Sequence, residues 1–345
     1  MTITTSQRTR VYLTVDVEGA EERVNGAALQ PARGYDLRVW GRLRNQGGDL
    51  GIPLIVDELG QAGLPATFFV EPFGSSYFGE AGLTEICGYL RGRGLDVQLH
   101  AHPVQRRVDW HSQGEPRLPD DMAAYGTGAQ LALLRLGLTI LERCGVPRAS
   151  LLAFRAGNFG ASNDTWRAMA AAGLRLSCNF NLCYLDKSCR ILWPAPANAL
   201  FDTATGVYEL PVTNFVDGRG HFRHLQVSAV SFPEMRHTLL EAARLGLPEV
   251  TIVTHPFEYF LIDSDADETG RPNPVNIERL RQLCRFLRER VDLFAVETVG
   301  ALARRLGRDR PMAEHPSVVP RGRRALRYRR FAEQAYQRLA ARLPL

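Results

Sequence analysis

Apolar runs of strand length alternate along this chain with longer segments of helical period, and few folds accommodate that alternation. Strands are expected at 11–17, 66–70, 96–100, 151–155, 174–178, 207–212, 250–254 and 292–296. Helical periodicity fills most of the intervals, at 52–62, 83–93, 130–144, 164–172, 233–245, 276–290 and 298–306. Parallel strands need long crossover connections, and these helices supply them. The expectation is an α/β fold with mainly parallel strands, and 345 residues fit within one large barrel. Residues 183–230 follow the pattern less well, and the Pro-rich stretch around Pro194 reads as loop.

The residues capable of chemistry gather where apolar strands end. The first strand runs into Asp16 and Glu18, the third into His100 and His102, the fourth into Arg155 and Asn158, and a late one into His255. In a parallel barrel the C-terminal strand ends converge on one face, where such folds build active sites. A side-chain period of two puts Asp16 with Glu18, and His100 with His102, on one face of their strands. Singly, each has a bland reading as a capping carboxylate, a structural histidine or a salt-bridge arginine. Their joint occurrence at one end of four strands outweighs those readings. Two imidazoles and a carboxylate supply three metal ligands and leave a fourth position for water, the arrangement of a catalytic zinc-type site. Asp16 then remains as a base beside that water.

At this point the motifs resemble those of polysaccharide deacetylases of the NodB-homology type, carbohydrate esterase family 4. TVDVE at 14–18 resembles the acidic motif, and GLPATFFVEP at 63–72 the second strand. LHAHP at 99–103 resembles the His-x-His-Pro form of the histidine motif, FRAGNFG at 154–160 the arginine motif, and VTHPFE at 253–258 the late histidine motif. The Asp-x-Glu and His-x-His spacings depart from the commoner adjacent aspartates and histidines four apart. The family's Asp and Trp motif of the middle strands has no counterpart, which leaves the partner of His255 unassigned.

The resemblance implies a distorted, partly irregular (β/α) barrel and a hydrolase that removes an N-acetyl group from an acetamido sugar. It implies metal ligands Glu18, His100 and His102, a base Asp16 oriented by Arg155, and a general acid His255. Asn158, Trp110, Phe257 and Glu258 are the expected substrate-binding residues. Zinc is the expected metal, and nitrogen and oxygen donors also suit cobalt, nickel or iron. The alternatives are hydrolysis of another amide or ester (formyl, O-acetyl or cyclic amide) on the same centre, or a non-catalytic sugar-binding module. Retention of both Asp16 and His255 speaks against the module.

Charge and cysteine usage narrow the partners. From Arg304 onward twelve arginines face Asp309, Glu314 and Glu333, a balance of +9, so residues 1–303 carry −4 within the net +5. The basic excess belongs to the tail and nucleic acid is not expected as a partner. Tyr328, Phe331, Ala332, Ala335, Tyr336, Leu339 and Leu343 form an apolar stripe at helical spacing in that arginine-rich segment. Contact with an anionic membrane surface follows as an expectation, and docking of the stripe on the body or on a partner subunit is the alternative. Cys87, Cys144, Cys178, Cys183, Cys189 and Cys284 are sparse and irregularly spaced, and read as reduced packing thiols. With no signal-peptide pattern and no spanning stretch, a cytoplasmic protein is expected, peripheral to the inner membrane if the tail binds lipid. The expected division is a disordered 1–10, a catalytic barrel at 11–306 and a basic helical tail at 307–345. The long segments 19–51 and 103–126 are expected to wall the cleft.

Overall fold

The computed structural model describes residues 8–25, 28–106, 118–192, 197–306 and 318–340. Its main sheet has the strand order Glu249–Thr254, Thr9–Val17, Thr67–Val70, Asp96–Ala101, Ala153–Ala156, Leu176–Ser177, Tyr208–Glu209, Phe201–Asp202. Phe294–Val296 adds to the start of the first strand. All of these pairings are parallel except the last, between Tyr208–Glu209 and Phe201–Asp202. The sheet is thus the parallel α/β type that the alternation dictated.

Strand parity divides the side chains into two sets. Val11, Leu13, Val15 and Val17 share an apolar cluster with Phe68, Val70, Val97, Leu99, Phe154 and the inward faces of the helices, among them Ile52, Leu83, Leu134, Trp166, Met235 and Leu283. The alternate residues Tyr12, Phe69, Ala153 and Leu176 pack inside the curled sheet against Val299, Leu302 and Ala303. Helix Val299–Arg305 therefore plugs one end. Its first amides bond the starts of two strands, Val299 N–H to Thr67 Oγ1 and Gly300 N–H to Asp96 Oδ2, each at 2.8 Å. The opposite end, where the strands finish, stays open for chemistry.

Between the sheet's two margins the chain is irregular, where a strand was expected at 207–212. Only Tyr208–Glu209 forms a strand, because Pro211 has no N–H to continue a ladder. The segment instead links both margins by scattered backbone bonds, Val212 N–H to Phe180 O at 2.9 Å and Thr213 N–H to Thr251 O at 3.3 Å. Gln226 makes a further parallel bridge to Val253. The result is a curled, distorted barrel. The helices lie within a few residues of their expected bounds, as with Ile52–Ala62, which ends at Gly63 with φ +66°. Short antiparallel pairs such as Asn214–Val216 with Phe222–His224, and a π-helical turn at Tyr35–Trp40, went unanticipated because they are too short to show a period. All six cysteines are free thiols. No described helix is long and apolar enough to cross a membrane.

Candidate active site and metal centre

Register brings the strand-end residues together. His100 pairs across the ladder with Arg155, Asp16 with Phe69, and Val15 with Thr254, so the next position places Asp16 opposite His255. Asp16, Glu18, His100, His102 and Arg155 are all buried.

Glu18, His100 and His102 form one cluster, their donor atoms within 4.8 Å of one another. Glu18 Oε2 lies 3.2 Å from His100 Nε2 and 2.6 Å from His102 Nε2. The far nitrogens are committed elsewhere. His100 Nδ1 sits 2.8 Å from the Arg155 carbonyl, and His102 Nδ1 sits 2.9 Å from Asp120. A nitrogen facing a carbonyl carries the proton, so neutral rings would present Nε2 lone pairs to a carboxylate oxygen. Three converging lone-pair donors call for a cation among them. The carboxylates around them favour a positive charge there, whether a proton on His102 or another cation. Burial opposes it, but the carboxylates of Glu18 and Asp120 hold the His102 pKa well above the usual imidazole range. Burial likewise opposes ionisation of Glu18, yet His102, His100 and Arg38 keep it well below the usual carboxylate range. The donor set fits a divalent cation of the zinc type, with outer partners that fix the rings as such sites require.

Beside this cluster stands a carboxylate without a place in it. Arg155, fully buried, donates from Nη1 to Asp16 Oδ1 at 2.7 Å and to Thr14 Oγ1 at 2.9 Å. Asp16 Oδ2 lies 3.9 Å from His255 Nε2. On its other side the ring's Nδ1 is 3.0 Å from Glu258 Oε1. Burial works against protonation of His255, but Glu258 and then Asp16 raise its pKa above the ordinary value. Glu258 is itself held by Ser228 Oγ at 2.6 Å, by Thr254 Oγ1 at 2.8 Å and by the Gln226 amide. The oxygens of Glu258, expected as a substrate contact, are taken up by His255 and three protein donors. Glu258 is the partner that the sequence left unassigned to His255.

The other expected substrate contacts fall differently. Asn158 is exposed and left-handed at φ +53°, and its amide donates to Asp120 at 2.8 Å. Phe257 is half-buried, with its ring 4.9 Å from that of His255 and the Arg38 guanidinium 3.6 Å above it. Trp110 lies outside the described residues. His224 is packed between Phe159 and Tyr184 and bonded to Gln226 at 2.7 Å.

Sequence reading missed Asp120 and Arg38. Asp120 arrives eighteen residues after His102 from an irregular segment. Arg38 projects from the π-helical turn and bonds Glu18 Oε1 at 3.0 Å. A π-turn at a functional site is a recurring association that periodicity cannot reveal. Glu71, fully buried at the end of the second strand, was quoted only as part of a motif. Burial pushes its carboxyl up to about 8, against two backbone amides that bind it.

No family model and no curated protein matches the sequence. Solved structures do. The structure described as "putative polysaccharide deacetylase from Mycobacterium smegmatis" superposes with a TM-score of 0.55 at 14% identity, over 91% of this chain and 96% of that one. A 4-alpha-glucanotransferase from Thermococcus litoralis gives 0.49 at 8% identity, over 87% of this chain and 41% of that one. The peptidoglycan deacetylase PdaC from Bacillus subtilis gives 0.39 at 12% identity, over 88% and 93%. The first of these matches spans nearly the whole of both chains, and at its identity it speaks for architecture alone. This chain has the curled, mainly parallel α/β barrel of the Mycobacterium smegmatis structure, the NodB-homology fold that its motifs resemble.

Proposed function

We propose that this protein is a metal-dependent hydrolase that removes an N-acetyl group from an acetamido sugar. The observation that carries the reading is the opposition of two functional halves across the barrel mouth: the Glu18, His100 and His102 donor cluster with Asp16 beside it, and His255 opposite, backed by Glu258.

Glu18, His100 and His102 would hold the cation. A divalent cation bound there supplies Lewis acidity, lowering the pKa of water to about 7 and polarising the acyl oxygen. Asp16, fixed by Arg155, accepts the proton of the attacking water. His255, whose pKa Glu258 raises against the effect of burial, gives its proton to the sugar nitrogen as the carbon–nitrogen bond breaks. Acetate and a free amino sugar are the products, and the proton taken by Asp16 returns to His255 or to solvent. Tyr184, His224 and Phe257 are half-buried rings around these groups, surfaces of the kind a saccharide can pack on.

The test is acetate release by the zinc-loaded full chain against nucleotide-linked acetamido sugars, free acetamido oligosaccharides, O-acetyl sugars and simple acyl amides. Release from an acetamido sugar, lost in Asp16→Asn, supports the reading. Hydrolysis confined to formyl or O-acetyl substrates would reassign the acyl group, and no hydrolysis of any of them would leave a sugar-binding module.

A further inference from the structure

We propose that the outer face of the C-terminal helix, Arg324–Ala340, is a docking surface for an anionic lipid bilayer. The helix is attached to the body by its charged side. Arg330 is 1% exposed, with Nη1 donating to Glu234 at 2.9 Å and Nη2 to Asp217 at 3.3 Å. Glu333 pairs with Arg279 at 2.9 Å, and Gln337 donates to Asn276 at 3.1 Å and Asn273 at 3.3 Å. The aromatic side faces water instead, with Tyr328, Phe331 and Tyr336 exposed to 63%, 42% and 59%, and with Ala332 and Ala335 between them.

This is the reverse of ordinary helix docking, in which the apolar stripe is buried and the charges stay hydrated. The ion pairs fix which side turns outward, so the stripe is held there rather than left over. A groove of about 320 Å³ beside Tyr336 joins it to Phe232, Pro274 and Val275 at the start of the neighbouring helix, Pro274–Glu289, with Glu278, Gln282 and Arg329 also on its wall. An apolar patch of this kind marks an interaction surface.

Charge selects the partner. Arg321, Arg323, Arg324 and Arg329 are exposed on or beside the helix, while its acid, Glu333, is neutralised by Arg279 and Arg329. A second copy of the chain across a two-fold axis would bring arginine against arginine. A bilayer with anionic headgroups complements them, and tyrosine and phenylalanine rings suit the depth at which an interfacial helix lies.

The experiment is flotation of the full chain with vesicles of phosphatidylcholine alone or with added phosphatidylglycerol. The full chain should float only with the anionic vesicles. Phe331→Ser combined with Tyr336→Ser, and separately Arg323→Glu combined with Arg324→Glu, should each weaken binding by about tenfold or more. All four positions are exposed, so unchanged thermal unfolding verifies the fold. Three results would each overturn the proposal: no flotation of the full chain, a Phe331→Ser/Tyr336→Ser variant that floats as well as the parent, or a solution dimer which that variant dissociates. None of these outcomes depends on the enzymatic reading.

Discussion

Gly157 shows how tightly the proposed metal site is built. A Cβ at this position would lie 2.3 Å from His102 Cε1, and the ring cannot step aside because Asp120 holds one nitrogen and Glu18 faces the other. The glycine of the FRAGNFG motif is there to let the imidazole pass. Gly157→Ala should therefore lower zinc affinity by about 10- to 100-fold, the loss typical of disturbing a ligand's support, as read by chelator competition. Unchanged affinity would mean that His102 is not a ligand in this position. His255 makes a different demand. Its pKa is raised by Glu258, so the imidazolium is fully present below the ordinary histidine range and is lost only as pH rises through the raised value. In Glu258→Gln the raising charge is gone, and the alkaline limb of turnover against pH should move to lower pH with metal content intact. A limb that stays in place would take the acid role from His255. The inward direction of Asp16 and His100 was legible in the sequence because strand parity sets it, and Glu18 and His102 each follow one residue past the end of their strand. Asp120 and Arg38 were not legible, since each reaches the cluster from a segment without a period. Glu258 was visible beside His255, but the 3-10 turn Pro256–Glu258 that folds it back onto the ring left no mark in the sequence.

Among the elements, the C-terminal helix has effects well beyond its own length. Arg279, which it engages through Glu333, also donates to the carbonyls of Val227 and Ser228, and Ser228 in turn holds Glu258. Asn273 and Asn276, engaged through Gln337, both donate to the Glu258 carbonyl. The tail thus braces the backbone that carries the acid half of the site. Its anchor is Arg330, and Arg330→Ala would leave Glu234 buried without its cation while Asp217 keeps Arg327, at 3.4 Å. Breaking such a pair by removing one member costs about 3–5 kcal/mol. Urea unfolding should show a midpoint lowered to match, and a change near zero would mean that the helix is not docked in solution. The tail's helical period was readable from sequence, and its orientation was not. Amphipathic spacing predicts the apolar stripe as the buried side, and three-dimensional ion pairing overrides it. The strand expected at 207–212 failed for a local reason, Pro211, while most helices kept their expected bounds because long apolar periods leave little choice.

For the molecule as a whole, the barrel separates stability from chemistry. Tyr12 and the plug helix fill the end where strands begin, and polar residues on the same inward parity line the end where they finish. One strand therefore supplies core at Tyr12 and, one residue past its end, leads to a proposed ligand at Glu18. The central claim is that Glu18, His100 and His102 share one divalent cation. It is tested most directly by elemental analysis of the full chain after zinc loading and desalting, beside His100→Ala, His102→Ala and His255→Ala. The account expects one equivalent of zinc in the parent and in His255→Ala, and almost none in either of the other two. A parent that holds no zinc, or a His100→Ala or His102→Ala variant that keeps its full equivalent, would contradict it.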